Sequence, residues 1–155
     1  MHDLIIDTLF RSLASVEVGR VRFQFRSSDV AMARDDVLAA IDVVPPGLDV
    51  VLCGYSFGAD VSLSVDSPRV VSWIAIAPPL SLVPVGAMAA PRDERPKHLV
   101  VAEHDQFNPP DRAAAAIEAW VNTTMEVIPG ADHFFPGAAR LVADAVLRRI
   151  RSTPV

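Results

Sequence analysis

Apolar residues fall into two kinds of run along this chain, and the two kinds alternate. In residues 4–14, Leu4 or Ile5, Leu9, Phe10 and Leu13 recur at three-to-four spacing behind Asp3, which predicts a helix with Asp3 as its N-cap. Residues 21–25 (Val-Arg-Phe-Gln-Phe) instead alternate apolar with polar, the period of a strand. Helical spacing returns over residues 35–43 and stops at Pro45-Pro46-Gly47. Residues 50–53, 70–77 and 99–102 are short, nearly unbroken apolar runs, as expected of strands buried on both faces of a parallel sheet. Residues 125–128 read as a last strand and 137–149 as a last helix, with an alanine-rich helix over 111–120 capped by Asp111. A proline-rich loop over 78–96 carries a short helix within 80–90. Alternation of this kind predicts one α/β domain over residues 1–155, a mostly parallel sheet of about five strands with helices on both faces.

One strand ends in a motif. Residues 50–60 read Val-Val-Leu-Cys-Gly-Tyr-Ser-Phe-Gly-Ala-Asp, so Gly54-Tyr55-Ser56-Phe57-Gly58 lies between a strand and a helix-compatible segment. A G-x-S-x-G in that context is a nucleophile elbow, in which strained backbone angles lift the serine hydroxyl clear of the strand end. The two glycines keep side chains out of a turn too tight to hold them. In parallel sheets chemistry collects at the carboxyl edge. Two more chemical residues fall at such ends: Asp105 in Glu103-His-Asp-Gln-Phe107, and His133 in Gly130-Ala-Asp-His-Phe-Phe135. The chain order is Ser, Asp, His, which α/β-hydrolases use and other serine-hydrolase folds do not.

Composition removes whole classes of function. With 51% hydrophobic residues the 155-residue chain is no disordered segment. The formal charge is −5 and the 14 Lys and Arg are scattered apart from Arg148, Arg149 and Arg151, so nucleic acid is not an expected partner. No apolar run reaches the length of a membrane span, no signal peptide is read at the N-terminus, and the single Cys53 admits no internal disulfide; the expected location is the cytoplasm. No metal-ligand cluster, phosphate-binding loop or dinucleotide fingerprint occurs, so neither metal nor cofactor is expected.

The segments Arg22-Phe-Gln-Phe-Arg26, Leu52-Cys-Gly-Tyr-Ser-Phe-Gly-Ala59, Ile76-Ala-Pro-Pro79 and Gly130-Ala-Asp-His-Phe-Phe135 resemble the α/β-hydrolase superfamily, in particular its small lidless bacterial branch near the dienelactone-hydrolase-like proteins. That resemblance implies Ser56 as nucleophile, His133 as general base and then acid, and Asp105 as the acid that orients the imidazole. The chemistry agrees, since a serine hydroxyl needs a base in reach and the base needs an acceptor to hold its tautomer. Glu103 and Asp111 are the alternative acids, and His104, in the same loop as Asp105, follows the wrong strand for the base. His2 and His98 read as structural or exposed, Trp73 and Trp120 as core. The N–H of Phe57 is the expected oxyanion donor, and Tyr55, Phe107 and Phe134 are candidate substrate contacts, against ordinary core packing.

Members of that superfamily precede the first helix with two or three strands and a loop holding His and Gly, which gives the second oxyanion N–H. This sequence opens at that helix, so the expected fold is a truncated one, its strands in sequence order and the residue 21–25 strand beside the elbow strand. The expected function is cleavage of a small acyl ester or thioester through an acyl-Ser56 intermediate. The alternative is an impaired hydrolase-like domain that binds a partner or a second copy of itself, with the shortened front leaving an edge or apolar face exposed.

Overall fold

Each apolar run of the central chain becomes a strand, and each strand is followed by a crossover that brings the next one in parallel beside it. The structure, a computed structural model, describes residues 4–152. Four strands, β1 (Val50–Tyr55), β2 (Val70–Ile76), β3 (Lys97–Ala102) and β4 (Thr123–Ile128), form one parallel sheet in the order β1-β2-β3-β4. β2 and β3 are buried along nearly their whole length, as their unbroken apolar runs require.

Five α-helices cover the sheet: α1 (Leu4–Ser12), α2 (Val30–Val43), α3 (Phe57–Leu63), α4 (Pro110–Ile117) and α5 (Ala139–Ser152). The sheet's sequential order, with right-handed crossovers, puts the connecting helices on one face. Ala33, Val37 and Ile41 of α2, Ala59, Val61 and Leu63 of α3 and Ala113 of α4 build one core there around Trp73, with Trp120 at its margin. Ile5 and Leu9 of α1 meet Val142, Ala143 and Val146 of α5 in a second core on the opposite face. No helix of the described residues is long and apolar enough to cross a membrane.

Local chemistry sets the helix ends. Asp29 caps α2, its Oδ1 accepting from the Met32 N–H at 2.9 Å, so the helix starts earlier than its apolar spacing predicts. Asp111 does not cap α4: Pro109 holds the cap position and Asp111 sits in the first turn, where its charge suits the helix dipole. The loop after β2 carries two short 3₁₀ turns, Val85–Ala87 and Ala90–Arg92, in place of one helix. The expected Asp3 cap and His2 lie outside the described residues.

The strand expected at residues 21–25 does not form, and the sheet has four strands rather than five. A strand needs a neighbour for its peptide groups. Val50 and Ser56 donate toward β2, to the carbonyls of Arg69 and Ile76, each at 2.9 Å, so by alternation Val51 and Cys53 turn their peptide groups to the other edge. No strand pairs with that edge among the described residues. Residues 21–25 are held by side chains instead. The Phe25 ring meets Phe57 edge-on at 5.4 Å, while Val21 and Phe23 stay 52% and 46% exposed. Arg26 then ties the segment to α2, its backbone N–H and guanidinium both donating to the Asp36 carboxylate.

That tie carries a pH signature. The Arg26 N–H, helped by its guanidinium and opposed by burial, holds the Asp36 carboxyl below its ordinary pKa. A depressed folded-state pKa stabilises the fold above the unfolded value of about 4, and the benefit is lost as pH falls through the folded value. Asp36→Asn is expected to lower the urea midpoint at pH 7, with the gap to wild type closing as the pH drops below about 4. A gap independent of pH would show that the charge of Asp36 contributes nothing.

Candidate active site

The elbow is built by a backbone collision avoided. A Cβ on Gly54 would stand 2.2 Å from the carbonyl oxygen of Gly58 and 2.6 Å from the Ala59 nitrogen, so the strand and α3 can approach only with glycine at that position. Gly58 is under less pressure, since its Cβ would meet only the Phe25 ring, at 3.4 Å. Between them Ser56 takes φ 52° and ψ −119°, angles a non-glycine residue adopts only under constraint. The constraint is visible: the Ser56 N–H is bonded to the Ile76 carbonyl of β2, and its own carbonyl accepts from Ala59 and Asp60 at 2.9 and 3.3 Å.

Ser56, Asp105 and His133, far apart in sequence, come together at the carboxyl edge. Ser56 Oγ lies 2.9 Å from His133 Nε2, and His133 Nδ1 lies 2.9 Å from Asp105 Oδ2. Asp105 and His133 are buried, so the bond between them is shielded from competing water, while the Ser56 bond is only partly buried. The other carboxylate oxygen of Asp105 accepts from the backbone N–H groups of Phe107 and Asn108 at 2.9 and 3.0 Å, which fixes the acid's orientation. The remaining candidates fall away: Glu103 is exposed and accepts from the Gly130 N–H, His104 is exposed beside Glu103, and His98 is buried on β3 against Thr124.

The aromatic candidates surround the imidazole, and Tyr55 also packs against the second core. Phe107 and Phe134 lie edge-on to the His133 ring at 4.6 and 5.3 Å and remain 50% and 60% exposed. Tyr55 sends its hydroxyl to the His133 carbonyl at 3.0 Å, anchoring the histidine backbone from β1. Phe135, by contrast, is wholly buried in the second core, at φ 49°. Phe57 begins α3, where a backbone N–H has no acceptor within the helix, so its N–H is available beside Ser56.

Three residues that motif reading passes over also serve the site. Gln106 accepts from the His133 N–H through Oε1 at 3.3 Å. Asn108, buried, donates from Nδ2 to the Pro78 carbonyl at 2.9 Å. Asp60, one turn after Ser56, is buried and accepts from the loop after β2. The one signal in the sequence was polarity in an apolar setting, Asp60 directly before Val61.

No protein-family model and no curated protein matches the sequence. Solved structures do match. An α/β serine hydrolase homologue from Coxiella burnetii superposes with a TM-score of 0.75 at 22% identity, over 97% of this chain and 77% of that one. The fold is that of the α/β-hydrolases. A lidless α/β serine hydrolase from Xanthomonas campestris matches at TM-score 0.71 and 21% identity, over 100% of this chain and 76% of that one. An esterase domain from Rhodothermus marinus matches at 0.72 and 20% identity, over 97% and 80%. This chain carries the α/β-hydrolase sheet in truncated form, four strands in sequence order.

The steric basis of the elbow is directly testable. Gly54→Ala forces a backbone shift at the strand-to-helix turn and is expected to cost about 3 kcal/mol or more in urea unfolding, at the top of the range for overpacking. Gly58→Ala, facing only a ring edge, is expected to cost less than Gly54→Ala. Equal effects would mean that the turn, not the Gly54 contact, sets the requirement.

Proposed function

We propose that this protein is a serine hydrolase that cleaves a small carboxylic ester or thioester through an acyl-Ser56 intermediate. The observation that carries the reading is the continuous relay from Ser56 Oγ to His133 Nε2 and from His133 Nδ1 to Asp105, with both bonds at 2.9 Å. The fold shared with serine hydrolases and an esterase domain supports it.

In this reading Ser56 Oγ attacks the acyl carbon while His133 Nε2 takes the hydroxyl proton, and Asp105 stabilises the imidazolium through Nδ1–H. The carbonyl oxygen, now an oxyanion, accepts from the Phe57 N–H. Collapse of the tetrahedral adduct breaks the bond to the leaving alkoxide or thiolate, which takes the proton back from Nε2. Water then repeats the sequence on the acyl-enzyme, giving the free acid and restoring Ser56. Phe107 and Phe134, exposed beside the imidazole, flank the acyl group. With the Phe57 N–H as sole identified oxyanion donor, turnover should fall on the order of 10²–10³ below an enzyme with two.

A second reading, a partner-binding or self-associating module, has one observation behind it: β1 pairs on one side only among the described residues, with exposed Val21 and Phe23 in the segment that runs over the elbow.

Intact mass after incubation with a fluorophosphonate separates the two. A single adduct absent from Ser56→Ala supports the hydrolase, and no adduct on folded wild type rejects it. With a short-chain p-nitrophenyl ester, Ser56→Ala and His133→Ala are each expected to lose up to about 10⁶-fold in kcat, and Asp105→Ala about 10⁴-fold. Retained turnover in His133→Ala would remove His133 as the base.

A further inference from the structure

One buried carboxylate plays no part in the relay. Asp60 is wholly buried on α3, and among the described residues no Lys, Arg or His pairs with it. It accepts instead from four consecutive backbone N–H groups of the loop after β2: Leu80 to Oδ1 at 2.9 Å, and Ser81, Leu82 and Val83 to Oδ2 at 3.1, 3.0 and 3.4 Å. Burial pushes its carboxyl above the ordinary range while the four N–H groups pull against that, so the loop is what makes a charge tolerable there.

The loop so held is strained and adjoins the nucleophile. It leaves β2 at Ile76, whose carbonyl binds the Ser56 N–H, and passes through Ala77 at φ 42° and Leu80 at φ 54°. Side chains at such angles persist only where their surroundings fix them. Two anchors do so from opposite sides. Asp60 grips residues 80–83, and Asn108 Nδ2 grips the Pro78 carbonyl between the two strained residues.

The links close on themselves. From Ser56, four residues along the chain lead to Asp60, which binds the loop; the loop binds Asn108 through Pro78; the Asn108 N–H binds Asp105; Asp105 binds His133; and His133 binds Ser56. Building on the serine-hydrolase reading above, we propose that Asp60 and Asn108 are positioning residues that clamp the loop at residues 77–83 and thereby set where Asp105 and His133 stand relative to Ser56. Neither touches the relay's reacting atoms. Each acts by completing a circuit in which the acid loop and the elbow are fixed to the same third element, so that neither can drift without straining the other.

The test compares wild type, Asp60→Asn, Asn108→Ala and the double variant by two readouts. The first is the rate of fluorophosphonate labelling at Ser56. Each single variant is expected to label about ten- to hundredfold more slowly, the penalty for a small misplacement of catalytic groups. The double variant should lose little beyond the worse single one, because both cut one circuit. The second readout is the downfield proton resonance of His133 Nδ1–H, which needs no turnover. It is expected to move or broaden in both single variants.

Folded single variants with wild-type labelling rate and an unmoved His133 resonance overturn the proposal, as do strictly additive losses. If wild type does not label at all, the hydrolase reading fails on its own, and the His133 resonance still decides whether Asp60 and Asn108 position the histidine. If Asp60→Asn does not fold, Asn108→Ala carries the test from the other side of the loop: a shifted resonance supports the clamp and an unchanged one overturns it.

Discussion

The closest constraint in this molecule is between two stretches of backbone, not two side chains. Gly54, near the end of β1, lies against the carbonyl of Gly58, and no room for a Cβ exists between them. From that approach follow the abrupt turn, the unusual angles of Ser56, and the start of α3 directly after the strand. The strain is local, but its support is distributed: β2 holds the Ser56 N–H and α3 its carbonyl. Among the described residues, four of the five non-glycine residues at positive φ, Ser56, Ala77, Leu80 and Phe135, lie in or beside the segments that form the site. Strain gathers where the backbone is most firmly held.

Buried carboxylates do much of that holding, and each is satisfied by peptide N–H groups. Asp105 takes two, Asp60 takes four, and Asp36 takes one together with a guanidinium. A peptide donor cannot swing away as a lysine can, so a carboxylate bonded to backbone fixes a loop rather than merely neutralising a charge. The same residue type thus plays three parts: relay member, loop anchor, and tie between a front segment and α2.

Much of this was legible in the sequence because it rests on local rules. The elbow shows as two glycines around a serine at the end of an apolar run, and Asp105 and His133 show as polar residues at the ends of later strands. The sheet order and the division of helices between its faces follow from alternation and handedness. What escaped was non-local. Residues 21–25 carry a strand's alternation, yet a strand exists only with a partner, and periodicity says nothing about whether a neighbouring edge is within reach. Asp60 and Asn108 belong to no motif; their meaning comes from the loop that passes over them. Asp111 has the chemistry of a cap but stands behind two prolines, and Pro109 takes the position.

The packing of α1 on α5 ties together the two ends of the described chain. β1 to β4 are laid down one after another, each pairing with its predecessor, so most of the sheet could grow stepwise from local crossovers. The second core cannot, because Ile5 and Leu9 must wait for Val142 and Val146. A nascent sheet would therefore keep one greasy face bare until α5 had been made, and this part of folding should close in a single late, cooperative step rather than strand by strand. The histidine arrives with that same late segment. Ser56 is shaped early and His133 comes last, so the two meet only once α5 has closed the second core.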